Sequence, residues 1–281
     1  MKVGIFTNLN KDKGLSVTNK LVECLKERGV AYVFDESLRD KVDGEFFSLS
    51  KKNEIDFMIT IGGDGTILRI AKCCALNDVP IVGLNLGYTG FLAEEEPSEI
   101  DTLVSALTNG KYDLDCRTII SVQKDDETFY ALNDAVINRE YDARMLEADV
   151  FVNGEFVDSY FCDGYIVSTP TGSTAYSLSA GGAILSPSVE AFILTSINSH
   201  SLHSRPIVVS ENDEITVTAS KRSFANLIVD GTVVASVKGG DSIVVKKADF
   251  KAKFVRLRGK SFYKNLLTKL NKWSVTEKES D

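Results

Sequence analysis

Ile55-Asp56-Phe57-Met58-Ile59-Thr60-Ile61 runs directly into Gly62-Gly63-Asp64-Gly65-Thr66, and this stretch decides the fold. Its first seven residues form a compact apolar run rich in β-branched and aromatic side chains, as expected of a strand covered on both faces. The glycines interrupt the run, and residues 66–76 then resume with apolar side chains at helical spacing. A strand, a tight turn and a helix in that order mark the place where open α/β sheets bind ligands.

The same rhythm extends outward. Residues 3–7 and 80–85 read as two further strands. Residues 16–28 set Val17, Leu21, Val22, Cys24 and Leu25 at helical spacing ahead of Gly29, a C-terminal helix signal, and 98–107 reads as another helix. This alternation predicts an α/β layer with a mostly parallel sheet. From about Cys116 short extended segments take over, at 118–123, 128–137, 148–152, 164–168, 214–219, 226–229 and 242–245. Asn153-Gly154 and Asp230-Gly231 are hairpin-type turn pairs between them. A β-rich second domain follows, broken by one helical stretch near Ser173. After Gly259, the spacing of Phe262, Leu266, Leu267, Leu270 and Trp273 suits a closing helix.

Composition bounds the function. With 281 residues, 43% hydrophobic and 26% charged, the chain reads as an ordinary two-domain folded protein. No apolar run approaches the about 18 residues of a membrane span, and the N-terminal run is too short for a signal peptide, so a cytoplasmic protein without a membrane partner is expected. Five scattered cysteines without a C-x-x-C indicate neither a disulfide framework nor a zinc site. They read as buried free thiols, and no metal-ligating residue is assigned. The net charge of −8 disfavours nucleic acid as a partner. It is uneven, since residues 246–272 hold ten Lys or Arg against one acid, +9, leaving −17 for the rest. That basic run is either a solvated surface or a field that draws in a polyanionic small molecule.

Three groups of residues could carry chemistry. Gly62, Gly63 and Gly65 lack a Cβ and tolerate unusual backbone, so the main chain can approach a phosphate while the following helix offers unpaired N–H groups. Asp64, among them, is suited to orienting an alcohol and taking its proton late in a phosphoryl transfer; a tight Asp-Gly turn satisfying its own backbone is the competing reading. The second group, Asp163-Gly164-Tyr165-Ile166-Val167-Ser168-Thr169-Pro170-Thr171-Gly172-Ser173-Thr174-Ala175-Tyr176-Ser177-Leu178-Ser179, is a hydroxyl-dense turn after an apolar strand. There Ser173 or Thr174 could cap the next helix, and the surface suits a purine or ribose. The third is the side-by-side pair Asn133-Asp134. Neither a Walker loop nor G-x-G-x-x-G is present, and no G-x-S-x-G accompanies the two histidines, His200 and His203, which read as structural.

In this order and spacing, Gly62-Gly63-Asp64-Gly65-Thr66, Asn85-Leu86-Gly87-Tyr88-Thr89-Gly90-Phe91-Leu92, Asn133-Asp134 and the run from Asp163 to Gly182 resemble the NAD kinases. The aspartate turn alone is shared with lipid kinases and phosphofructokinases; Thr169 to Tyr176 together with the asparagine-acid pair narrows the resemblance. It implies a Rossmann-like N-terminal α/β domain over 1–100, joined by 256–281 as a last helix returns, and a C-terminal β-sandwich over 101–255. It further implies phosphorylation of the 2′-hydroxyl on the adenosine ribose of NAD by ATP with a divalent cation, Mg²⁺, in a homo-oligomer, dimer or tetramer, with the site near the subunit interface. Asp64 is then the base and, with Gly65, touches NAD; Asn133 and Asp134 hold the ribose or nicotinamide side; Asp163, Thr174, Ala175, Tyr176 and Ser179 receive adenine. Asp134 stands where Glu is common, and Phe161 and Thr232 stand where a basic residue and Gln are frequent. Arg69 and Arg144 are the cations nominated to compensate, because guanidinium matches phosphate geometry.

Overall fold

The computed structural model describes residues 1–48, 55–87, 90–140, 143–201, 203–221, 223–257 and 262–273, the last five without their side chains. Tyr88 and Thr89 of the second motif, Gly259, and the side chains of Leu270 and Trp273 lie outside the described residues. The chain divides into two compact units, Met1–Cys116 with Ala252–Asp281, and Arg117–Lys251.

In the first unit β1 (Lys2–Thr7), α1 (Ser16–Glu27), β2 (Ala31–Asp35), β3 (Phe46–Phe47), β4 (Phe57–Gly62), α2 (Asp64–Leu76), β5 (Ile81–Asn85) and α3 (Ile100–Asn109) follow one another. The strands lie parallel in the order β3-β2-β1-β4-β5, the parallel sheet predicted from the alternation and the Rossmann-like arrangement implied by the resemblance. Both β4 and β5 are buried along their whole length, which explains why they are continuous apolar runs rather than alternating ones. Helix α2 buries Thr66, Ile67, Ile70, Ala71, Cys74 and Ala75, a single stripe at helical spacing. Helix α3 belongs to this unit because Ile100, Leu103, Val104 and Leu107 join the core of Val3, Ile5, Ile59 and Leu84; the division therefore falls later than position 100. Strand β2 escaped the sequence reading, since five residues with Ala31 exposed carry little pattern.

The second unit contains β6 (Asp113–Lys124, which begins before the boundary), β7 (Glu127–Ala131), β8 (Asp134–Arg139), β9 (Leu146–Val152), β10 (Glu155–Cys162), β11 (Gly164–Ser168), a single helical turn α4 (Tyr176–Ser179), β12 (Ala191–Ile197), β13 (Ile207–Ser210), β14 (Ile215–Ala219), β15 (Phe224–Val229), β16 (Thr232–Lys238) and β17 (Ser242–Arg256, whose last residues, from Ala252, belong to the first unit). One antiparallel sheet runs β13-β12-β11-β8-β15-β16; β10, β9, β14 and β17 form the facing one, with β6 and β7 beside β17. Ile137, Val167, Leu194 and Leu227 from the first meet Val150, Tyr160, Val217 and Val245 from the second in one core, a β-sandwich. Alternating burial along β9 and β14 reflects that one-sided packing. Asn153-Gly154 and Asp230-Gly231 close the β9–β10 and β15–β16 hairpins with positive φ at both residues, +52° and +80°, and +46° and +79°.

Two expectations change here. The single strand expected over 128–137 is two strands, parted at Leu132-Asn133. The helix expected near Ser173 shrinks to a 3₁₀ turn at Gly172–Thr174 and α4, because Ala175 leaves helical geometry at φ −103°, ψ −130°. The last helix, α5 (Phe262–Trp273), belongs to the first unit: the Phe262 ring packs at a tilt against Phe91, centres 5.9 Å apart, and Asn265 donates to Glu94 at 3.2 Å.

Three of the five cysteines, Cys24, Cys74 and Cys162, are buried, whereas Cys116 is exposed. Four of the ten cations in the basic run are paired: Lys246 with Glu214, Lys247 with the fully buried Glu211, Lys253 with Asp78, and Arg256 with Glu94 and Asp115. Among the described residues no helix is long and apolar enough to cross a membrane.

Candidate active site

In the first unit the glycine turn is shorter than its sequence suggests. Gly62 ends β4, Gly63 is extended at φ −155°, ψ −171°, and Asp64 already occupies the first turn of α2, two residues before the expected start. None of Gly62, Gly63 and Gly65 uses left-handed backbone. At Gly62 glycine is required instead by close approach, because a Cβ there would lie 2.2 Å from Thr66 Oγ1, whereas a Cβ on Gly65 would meet nothing within 4 Å. Thr66 Oγ1 accepts the Gly63 N–H at 3.3 Å and the Asn8 Nδ2–H at 3.2 Å, and the Asn8 main chain donates to Ile61 at 2.8 Å. The ends of β1 and β4 are thereby tied together where the strand order reverses, the switch point of the sheet.

The space left by the missing side chain of Gly63 is flanked by Lys11 Nζ, 2.9 Å from where a Cβ would lie, and by Asn85 Oδ1, 4.0 Å from it. Asn85 is buried and its Oδ1 has no hydrogen-bond partner among the described residues. Three main-chain N–H groups hold the Asp64 carboxylate: Phe91 donates to Oδ2 at 2.8 Å, Leu92 and Ala93 to Oδ1 at 3.1 and 3.0 Å. The segment comes this close only because residue 90 is glycine, for a Cβ there would fall 1.9 Å from Asp64 Oδ1. A carboxylate in the first turn of a helix also faces the positive end of its dipole. Arg69 is exposed on α2, its guanidinium 5.2 Å over the Phe6 ring.

In the second unit the Asp230 carboxylate accepts the N–H groups of Leu132 at 2.8 Å, Asn133 at 2.8 Å and Asp134 at 3.2 Å, so a residue legible only as half of a hairpin turn organises the Asn133-Asp134 pair. This capture of three consecutive amides splits the strand expected over 128–137. Asp134 is buried, and loss of hydration first, with the Asp230 charge second, pushes its carboxyl up to about 7. The hydroxyl-rich turn docks on the same peptide: Thr169 N donates to the Asn133 carbonyl at 2.9 Å and Thr169 Oγ1 to that of Leu132 at 2.6 Å. Ser173 does not cap α4, since its buried hydroxyl donates to Pro170 O at 2.6 Å and accepts from Leu185 N at 3.1 Å. Ser173 and Ser177 are thus structural, while Tyr176 and Ser179 are exposed and Thr174 and Ala175 half-buried. Asp163 is held on both oxygens, by Asn198 at 2.9 Å and Arg139 at 2.6 Å, and these two donors keep its carboxyl below the usual range. Arg144, His200 and His203 are exposed.

Asp64, Gly62, Gly63, Gly65 and Arg69 thus share the first unit, and Asn133, Asp134, Arg144, Asp163, Thr174, Ala175, Tyr176 and Ser179 the second. Sequence reasoning missed Asn8, Lys11, Arg139 and the role of Asp230. Only Asp230 carried a signal, as an acid that begins a tight turn and can collect main-chain donors.

A carboxylate oriented by three amides at the switch point, with a lysine over a bare glycine alongside, is equipped to direct an alcohol toward a phosphate; fold and site together define an α/β phosphotransferase. Within that class the chain belongs to the NAD kinase family. The ATP-NAD kinase N-terminal domain matches residues 3–112 and the ATP-NAD kinase C-terminal domain residues 132–257. A NAD kinase of Carboxydothermus hydrogenoformans is 40% identical over 274 residues, 93% of this chain and 97% of that protein. An NAD kinase from Archaeoglobus fulgidus, solved in complex with ATP, is 30% identical with a TM-score of 0.76 over 96% of this chain and 99% of that one. Yeast NADH kinase, solved with NADH, shares the fold at a TM-score of 0.86 and 24% identity, over 100% of this chain and 89% of that one.

Proposed function

We propose that the chain transfers the terminal phosphoryl group of ATP to the 2′-hydroxyl of the adenosine ribose of NAD, forming NADP and ADP, with Asp64 accepting the hydroxyl proton. The observation that carries this reading is the Asp64 carboxylate, oriented by the N–H groups of Phe91, Leu92 and Ala93 at the start of α2. A base preset in this way needs no reorganisation when the hydroxyl arrives. Gly62, Gly63 and Gly65, with Lys11, line the path of the donor phosphates, and Arg69 and Arg144 supply further positive charge. In the second unit Asn133 and Asp134 hold the ribose or nicotinamide side, and Asp163, Thr174, Ala175, Tyr176 and Ser179 receive adenine.

A divalent cation, Mg²⁺, enters as part of the nucleotide. Mg²⁺ commonly relies on substrate phosphates for its ligands. The enzyme works in the cytoplasm as a homo-oligomer, dimer or tetramer, with the adenine side near a subunit interface.

The test is direct. Purified protein given ATP, Mg²⁺ and NAD should form NADP, read with an NADP-specific dehydrogenase, and Asp64→Asn should lower kcat by about 10²–10⁴-fold, the range for loss of a general base. An Asp64→Asn variant with full activity overturns the assignment of the base, and absence of NADP with the native chain overturns the reaction.

A further inference from the structure

Arg256, the last residue of β17, has its guanidinium mostly buried in the first unit and bound on several sides. It donates to the Leu92 carbonyl at 2.8 Å and to that of Phe91 at 3.5 Å, pairs with Glu94 at 3.3 Å and Asp115 at 3.2 Å, and lies 5.4 Å from the centre of the Phe254 ring.

The two carbonyls matter because of the peptide units they belong to. The Phe91 carbonyl shares a peptide plane with the Leu92 N–H, and the Leu92 carbonyl with the Ala93 N–H. In a trans peptide C=O and N–H point in opposite directions. Each of these two planes is therefore gripped from opposite edges, with guanidinium on the oxygen and Asp64 Oδ1 on the hydrogen. Positive charge at the carbonyl end and negative charge at the N–H end both match the peptide dipole, so the contacts reinforce one another.

We infer that Arg256 is a positioning residue for Asp64, acting through the main chain of Phe91, Leu92 and Ala93. The inference rests on the reading of Asp64 as the base. Arg256 fixes where the carboxylate points, and touches neither nucleotide. Only arginine spans two adjacent carbonyls and two carboxylates with one planar group; lysine offers a point charge on a flexible stem.

The experiment is steady-state kinetics of the full chain with ATP, Mg²⁺ and NAD, for Arg256→Gln and Arg256→Lys, alone and combined with Asp64→Asn. Arg256→Gln should lower kcat by about 10–100-fold, the scale of a small misplacement of a reacting group, with KM for NAD and ATP within about threefold. Arg256→Lys should recover part of the loss. In the Asp64→Asn background Arg256→Gln should cost nothing further, since a residue that acts only through another has no effect once that partner is gone. Should Arg256→Gln fold poorly, as a thermal melt would reveal, Arg256→Lys carries the same comparison. The inference is overturned if Arg256→Gln leaves kcat unchanged, or if the two losses multiply. An Asp64→Asn protein with native activity would instead remove the base itself, so the two failures are distinguishable.

Discussion

Asp230 Oδ1 accepts the main-chain N–H of the buried Asp134 at 3.2 Å. Burial raises both carboxyl groups, and the Asp230 charge adds to the rise at Asp134, whose carboxyl reaches about 7 against an ordinary 3.8. Because the folded value lies above the unfolded one, the native state holds a proton between the two that the unfolded chain has released. Stability from this group is complete below the unfolded value and is lost as pH climbs through about 7. Melting temperature should therefore fall from pH 5 to pH 8, and Asp134→Asn, which carries no titrating proton, should flatten that part of the profile and stabilise the protein at pH 8. An unchanged slope in the variant assigns the dependence elsewhere.

Asp230 itself is a structural acceptor. Replacing it by alanine leaves the N–H groups of Leu132, Asn133 and Asp134 without their partner, and a single orphaned buried donor costs about 1–3 kcal/mol. Chemical denaturation should show a loss of at least that size for Asp230→Ala. KM for NAD should rise as well, since the same amides orient Asn133 and Asp134.

Gly90→Ala puts a methyl group where Asp64 Oδ1 now lies, 1.9 Å away. The carboxylate must swing off its amides, and kcat should drop by about 10²-fold, as for other small displacements of catalytic groups. A melting temperature close to native, measured alongside, separates this effect from unfolding.

Lys11 stands over the bare glycine of the turn. If it meets the donor phosphates, Lys11→Ala should raise KM for ATP by roughly tenfold or more, the value of a charge-assisted hydrogen bond of ~1.5–3 kcal/mol, while KM for NAD stays within about twofold. Equal changes in both constants would remove Lys11 from the donor side.

Much of this was legible along the chain because it depends on neighbours in sequence. The apolar run into Gly62-Gly63-Asp64-Gly65 specified a doubly covered strand followed by a helix, and Asn153-Gly154 and Asp230-Gly231 specified hairpins, since periodicity and turn geometry are local properties. The order of the motifs identified the family and nominated Asp64. Contacts between residues far apart in sequence were not legible. Asp64 meets Phe91, Leu92 and Ala93 across 27 to 29 residues, Arg256 reaches Leu92 across 164, and Asp230 reaches Asn133 across 97. Hydrogen bonds of this kind go to main-chain amides and carbonyls, which every residue type supplies alike and which therefore leave no mark on the sequence. The sequence by itself determined which elements form and where the Asp64 turn falls between strand and helix; the tertiary structure alone decided which peptide groups hold that carboxylate, because only folding brings them within reach.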